Sequence, residues 1–365
     1  MKFEDHPSVK AITARSASVP LRISAGDRPR LRAEDLRALA LASGADDVGF
    51  VPIEHPELAP DRARLESALP GVRAVIAVLC RMQPENVRSP ERAIANQAFH
   101  TTGLHVDEVC RAMVLALDEQ GVRALNPSMA FPMNVSSIGD ERPWVLSYKP
   151  LAEVAGLGRM GLHRSVIHPK FGSFVLLGGV LVDRAIDAYS TELSYNPCVD
   201  CRLCVAACPV GAIHPDGHFN APACTTHNYR EFMGGFVDWV ETLAGAGSAS
   251  DYRAQVRDSE TLSLWQSLAY GPNYKAAYCL SVCPAGESVL GALIEARAQH
   301  TQRVVRPLQQ KREPVYVTRG SPAEAHVRSR FPHKEVRVVR SGVRKLLFFN
   351  SHGGQTSAMD IVVRD

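Results

Sequence analysis

Seven of the nine cysteines in this 365-residue chain fall between Cys198 and Cys283. No other feature restricts the fold so strongly. Thiols gathered in one stretch serve either a disulfide framework or a metal site, and disulfide frameworks belong to short secreted chains. This chain is long, and its start, MKFEDHPSVKAITARSASVPLRIS, has neither an apolar signal core nor a twin arginine. The expectation is a cytoplasmic protein whose clustered thiols hold metal.

The spacing names the metal. CVDCRLCVAACPVGAI places Cys198, Cys201, Cys204 and Cys208 at C-x2-C-x2-C-x3-C-P, the bacterial ferredoxin run. Two-residue gaps let a tight loop wrap three corners of one cubane; the fourth thiol is expected to start the following helix and face away. Zinc ribbons instead use separated C-x2-C pairs. Downstream, YCLSVCPAGE carries Cys279 and Cys283 at C-x3-C-P. By ferredoxin cross-over logic Cys283 completes a first [4Fe–4S] cluster with Cys198, Cys201 and Cys204. A second site then holds Cys208, Cys279 and the isolated Cys224. Its fourth ligand is unknown, because the expected position, three before Cys279, is Ala276. The second cluster is thus a [3Fe–4S], a [4Fe–4S] with a non-thiolate ligand, or one borrowing a remote thiol. His227, at C-x2-H from Cys224, has ligand-like spacing, although a hydrogen-bond donor is the commoner role. Cys80 and Cys110, alone among apolar residues, read as small core side chains.

Around this segment the chain looks like ordinary globular protein, with 45% hydrophobic and 22% charged residues. No apolar run approaches the roughly 20 residues of a membrane span. Residues 1–30 read as an N-terminal arm. Residues 31–190 alternate helix (AEDLRALALASGA, PDRARLESAL) and strand (DDVGFVPI, VRAVIAVLC, SFVLLGGVLVD), as a layered α/β domain does. The pattern predicts one long helix over 89–121, broken near Gly103 and stopped by Gly121. Residues 191–300 form the cysteine module, with an insertion at about 225–275. Residues 301–365 form a basic αβ tail of strands VYVT, VRVVR and LLFFN and a helix N-capped by Ser321. The tail holds 13 Lys+Arg against 5 Asp+Glu, which leaves the first 300 residues net acidic. Such asymmetry is a footprint of a polyanion partner, or simply a set of solvated faces.

Gly156, Gly158 and Gly161 spell a literal G-x-G-x-x-G. A dinucleotide fingerprint needs a strand before it and a helix opening at its end. Here KPLAEVA, a helix pattern, precedes it, and HPKFG breaks the chain within eight residues of its end. The glycines are read instead as close backbone approach or tight turns.

The order GLGRMG…HPKFGSFVLLGGVLVD, CVDCRLCVAACPVGAI, a lone Cys and C-x3-C-P resembles the epoxyqueuosine reductases and the cobalamin-dependent reductive dehalogenases. The likeness covers about residues 33–290. It implies a nitroreductase-like cobalamin-binding domain with an inserted ferredoxin-like module, an α/β (α+β) fold. It also implies an oxidoreductase in which an external donor of ferredoxin or flavodoxin type reduces two clusters, which pass electrons to cobalamin. Carried over by position, Gly156, Gly158, Gly161, His168, Gly172 and Ser173 would shape the corrinoid pocket. The proton donor is less settled. The reductases carry an acid shortly before GLG, where this chain offers Asp140 and Glu141; the dehalogenases use a Tyr beside a cation, as Tyr148 stands beside Lys149. The implied substrate is a small organic molecule or tRNA. The competing expectations are an electron carrier or redox sensor without corrinoid, and a tRNA-binding iron–sulfur protein.

Overall fold

The structure, a computed structural model, describes residues 2–15, 29–134 and 144–339. Its strands are β1 (Asp47–Pro52), β2 (Ala74–Arg81), β3 (Ala124–Leu125), β4 (Arg159–Met160), β5 (Val166–Ile167), β6 (Val175–Val182), β7 (Pro314–Thr318) and β8 (Glu335–Val339). The main sheet has the order β1-β2-β6-β3 and every pairing in it is antiparallel. The fold is a mixture of helix and strand with a ferredoxin-like iron–sulfur segment, as the resemblance implies.

Strand β2 shows why this sheet lies inside. Its sequence AVIAVLCR is apolar until Arg81, and residues on alternate sides of a strand face opposite ways. Ala74, Ile76, Val78 and Cys80 enter one core, under helices Ala33–Ala42 and Arg92–Glu119. Val75, Ala77 and Leu79 enter a second, under helices Arg62–Ala68 and Tyr148–Val154. Cys80 and Cys110 lie in the first core, where burial pushes each thiol up to about 12.

Helix Arg92–Glu119 is unbroken. Gly103 sits inside it because a Cβ there would come within 2.7 Å of Met129 Cε; the glycine admits a neighbour and does not end the helix. Gly121, with φ +69°, follows the helix end.

The cysteine segment has its own core, in which Cys204, Cys208, Val210, Ile213 and Tyr278 pack with Val315, Val317 and Val327. The last three come from the tail: β7 and β8 are parallel, joined by helix Pro322–Arg330. Ser321 caps that helix, its side chain accepting from Glu324 N at 3.2 Å. The tail up to Val339 is therefore packed into the cysteine core. The expected LLFFN strand lies outside the described residues. The insertion forms helices Gly234–Ala244, Ala249–Gln255 and Asp258–Tyr270.

Candidate metal centre

The loop carrying the first three cysteines bends through two left-handed non-glycine residues, Asp200 (φ +46°) and Arg202 (φ +60°). Such turns aim successive amides into a concavity suited to anionic clusters. Helix Leu203–Ala207 then carries Cys204 inward. Cys283, 79 residues further on, follows the four-residue helix Tyr278–Ser281 and packs with Cys198. Cys198, Cys201, Cys204 and Cys283 line one cavity together with His163. Burial pushes the thiols of Cys201, Cys204 and Cys283 up, that of Cys283 to about 11. Each of these three is therefore a neutral thiol without metal and must shed its proton to bind.

The other three thiols act on one another electrostatically, and Cys279 also raises the pKa of Cys204 in the first cavity. Cys224 and Cys279 are each raised by burial first and then by one another or by Cys208. Cys208 follows the helix Leu203–Ala207 and does not start one, contrary to expectation; it still acts on Cys224 and Cys279. Its Sγ accepts the Ala212 amide at 3.2 Å, and the amides of Val210, Ile213 and Gly211 also favour its thiolate against burial. The buried ammonium of Lys149 favours the thiolates of Cys224 and Cys279. At the position without a thiol, the Ala276 carbonyl accepts from Arg92 Nη2 at 2.9 Å, and its amide donates to Asn228 Oδ1 at 3.0 Å.

No three His, Cys, Asp or Glu side chains among the described residues converge on a single-ion site. Four ligands of one zinc ion at about 2.3 Å lie within roughly 4.6 Å of each other.

His227 is engaged through one ring nitrogen, and its buried Nε2 has no partner among the described residues. Its Nδ1 accepts the Tyr316 amide at 3.3 Å and its ring stacks on Tyr316. Burial pushes its pKa down to about 3, helped by Lys275 and Lys334.

The residues that the resemblance assigns to a corrinoid are occupied by the chain itself. A Cβ at Gly156 would meet Thr191 O at 2.5 Å, at Gly158 Ile167 O at 2.6 Å, and at Gly161 Ile167 Cδ1 at 2.6 Å. The G-x-G-x-x-G runs from a helix end into the β4–β5 hairpin, so no strand–turn–helix forms. His168 is saturated: Nε2 pairs with Asp47 Oδ2 at 3.1 Å, and Nδ1 accepts the amides of Lys170 and Phe171. Gly172 and Ser173 clasp the Cys283 loop. Gly172 abuts Ala285 O, and the one Ser173 hydroxyl proton is within reach of Leu280 O at 3.2 Å and of Cys283, whose thiolate it favours when turned to that sulfur. These six positions offer no open cradle to a corrin ring.

Tyr148 and Lys149 do not act as a pair. The phenol donates to Pro127 O at 2.7 Å, and burial raises its pKa well above 10. Lys149 Nζ donates to Arg164 O at 2.6 Å, on the thiol side. Adjacent helical residues point in different directions, so a Tyr-Lys dipeptide in a helix cannot make the contact that the spacing suggests. Asp140 and Glu141 lie outside the described residues.

Sequence reasoning did not nominate Arg88, Arg92 or His163. Arg88 and Arg92 sit over Phe174 and Tyr278, with ring distances of 5.0 and 5.2 Å, and favour thiolates at Cys283 and Cys279 respectively. Arg88 ends helix Pro84–Arg88 and Arg92 begins helix Arg92–Glu119, and neither position signals a contact with the thiols in the sequence. His163 lies in the GLGRMGLHR stretch, next to the glycines, and a search for donors near the cysteines would have had to fold the chain first.

Residues 192–214 match the family described as 4Fe-4S binding domain. Over 181 residues the chain is 29% identical to an epoxyqueuosine reductase of Vibrio cholerae, covering 47% of this chain and 46% of that one. An epoxyqueuosine reductase of Staphylococcus aureus is 28% identical over 204 residues, covering 54% and 48%. The chain is similar to the epoxyqueuosine reductases. It spans about half the length of these relatives. A solved catabolic reductive dehalogenase superposes with a TM-score of 0.46 at 15% identity, over 77% of this chain and 35% of that one. Among the described residues no helix is long and apolar enough to cross a membrane.

Proposed function

We propose that this chain is an iron–sulfur oxidoreductase that takes electrons one at a time from an external donor and passes them through two clusters. One is a [4Fe–4S] cluster on Cys198, Cys201, Cys204 and Cys283. The other rests on Cys208, Cys224 and Cys279 and has three thiolate corners. The observation that carries this reading is the cavity in which Cys283 meets three cysteines from a loop 79 residues away. Iron–sulfur clusters supply one-electron storage, at potentials set by hydrogen bonds and nearby charge. The chain's own contribution is amides and the Ser173 hydroxyl near sulfur, cations beside the thiols, and apolar packing that excludes water. Similarity to epoxyqueuosine reductases supports a reductase and makes tRNA a candidate partner, alongside a small organic substrate. Cobalamin is the acceptor the resemblance implies, but the residues offered for it are packed internally. The proposal therefore ends at electron delivery to a reducible acceptor.

Anaerobic reconstitution followed by iron counting and EPR tests the reading. Seven or eight irons per chain and two reducible signals are expected, and C283A should lose the first signal. Zinc, or no metal, in wild-type material refutes the cluster reading. Titration with cobalamin of the loaded protein, read by corrin absorption, decides whether a corrinoid binds; salt-dependent tRNA binding decides the second partner.

A further inference from the structure

We propose that the Nε2–H of His163 donates a hydrogen bond to a sulfur of the first cluster and thereby raises that cluster's reduction potential. The proposal rests on the two-cluster reading and adds to it a positioning residue that neither the motif nor the resemblance supplies.

The side chain is 5% exposed and lines the cavity shared by Cys198, Cys201, Cys204 and Cys283. Its Nδ1 accepts the Ser165 amide at 3.2 Å. In a neutral imidazole the proton then belongs on Nε2. That atom is buried and has no hydrogen-bond partner, a condition that folded proteins avoid because the donor has lost water without replacement. The ring is held in place by the β4–β5 turn. Gly161 N donates to Ser165 O at 3.0 Å and Arg164 N to Gly161 O at 2.9 Å, with Arg164 left-handed at φ +59°. Gly161 also leaves room for the ring, since a Cβ there would lie 3.1 Å from His163 Cε1. A fixed, dry donor beside a cavity of four thiols has cluster sulfur as its natural acceptor. An N–H dipole aimed at sulfur stabilises the added electron, so the potential rises. His227 has the same orphaned Nε2 but does not line this cavity, which makes it the internal contrast.

The test uses the full chain, reconstituted anaerobically and titrated redox-metrically by EPR. His163→Phe keeps the ring volume and removes the donor; His163→Gln restores an N–H at similar reach. At a fixed potential the reduced-to-oxidised ratio of the first cluster should fall about tenfold in H163F, a negative shift of about 59 mV for one electron. H163Q should recover most of it, and the second cluster should titrate unchanged in both. In wild-type protein labelled with 15N-histidine, pulsed EPR of the reduced first cluster should show a nitrogen coupling that H163Q removes. An absent coupling, or H163F titrating like wild type, overturns the proposal. Wild-type material without iron would refute the cluster reading itself, so the two failures are told apart.

Discussion

Gly172→Ala separates a structural role for the 168–173 loop from a corrinoid-lining one. Gly172 has φ +65°, and a Cβ would stand 1.9 Å from Ala285 O, where real contacts do not fall below 3.0 Å. Left-handed backbone costs a non-glycine residue about 1–2 kcal/mol. Moving the Ala285 carbonyl by about 1 Å adds an overpacking cost of about 1–3 kcal/mol, so the total is about 2–5 kcal/mol. Gly217→Ala is the control, because Gly217 is also left-handed (φ +89°) but has nothing within 4 Å of its virtual Cβ; only the strain remains. At about 2 °C per kcal/mol for a chain of this size, apparent Tm should fall by about 4–10 °C in G172A and about 2–4 °C in G217A. The carbonyl that must move lies two residues from Cys283, and Gly286 faces Gly172 from the same loop, its virtual Cβ 2.3 Å from Gly172 N. G172A should therefore also lose the first cluster's EPR signal before the second's on warming. Anaerobic thermal scans with parallel iron counts supply both readouts. Equal Tm values for the two variants, with both clusters retained, would show that the clasp between these loops does not hold Cys283.

Cys279→Ala should abolish the second cluster's EPR signal and spare the first; equal loss of both would refute the division of the thiols. His227→Asn keeps an acceptor for the Tyr316 amide and removes a titrating ring. Because the native pKa is pushed down to about 3 by burial while the unfolded value is about 6.5, the unfolded chain binds the extra proton between these values. Wild-type stability should thus fall as pH drops below 6.5, by up to about 1.4 kcal/mol per pH unit from this group. H227N should flatten that limb in Tm measured from pH 7 to 4, and an unchanged slope would contradict the burial argument. Tyr148→Phe removes a hydroxyl bonded only to backbone carbonyls, costing about 1 kcal/mol and leaving the reduction rate of an artificial acceptor unchanged; a large loss of rate would restore Tyr148 as a proton donor. Truncation after Arg312 deletes Val315, Val317 and Val327, all nearly fully buried, so it should release iron as well as alter tRNA binding, visible in the iron count of the purified fragment.

What could be read from the sequence divides along the range of the interaction. The cysteine loop is local: three thiols in seven residues need no tertiary knowledge, and the cap at Ser321 is equally local. The run VRAVIAVLC reads as a strand, and the structure adds that both its faces are buried. Other features needed the fold. Gly103 looks like a helix break because propensity cannot see Met129. Gly156, Gly158 and Gly172 look like a ligand cradle because closeness of backbone to ligand and closeness of backbone to backbone demand the same residue. Tyr148 and Lys149 are neighbours in sequence, and helical geometry sends one to the Pro127 carbonyl and the other towards the thiols.

The division of labour between the two halves arises from where those long-range contacts land. Arg92 and Lys149 come from helices packed on the sheet, His163 and Ser173 from the segments between them. Arg92 reaches the Ala276 carbonyl at the very position where the second site lacks a thiol, and Lys149 faces the thiols of Cys224 and Cys279. Ser173 and His163 stand at the first site. A ferredoxin segment alone would present its sulfurs to water and its own amides. Here the sheet half closes over it and brings three cations, Arg88, Arg92 and Lys149, with an imidazole and a hydroxyl. Each of these favours added negative charge at sulfur, and each would move the potentials in the same direction. Arg92→Met and His163→Phe should therefore shift different clusters, the second and the first, both towards harder reduction. A single EPR titration of each variant measures this, and a shift of the same cluster by both changes would show that the sheet half does not address the two sites separately.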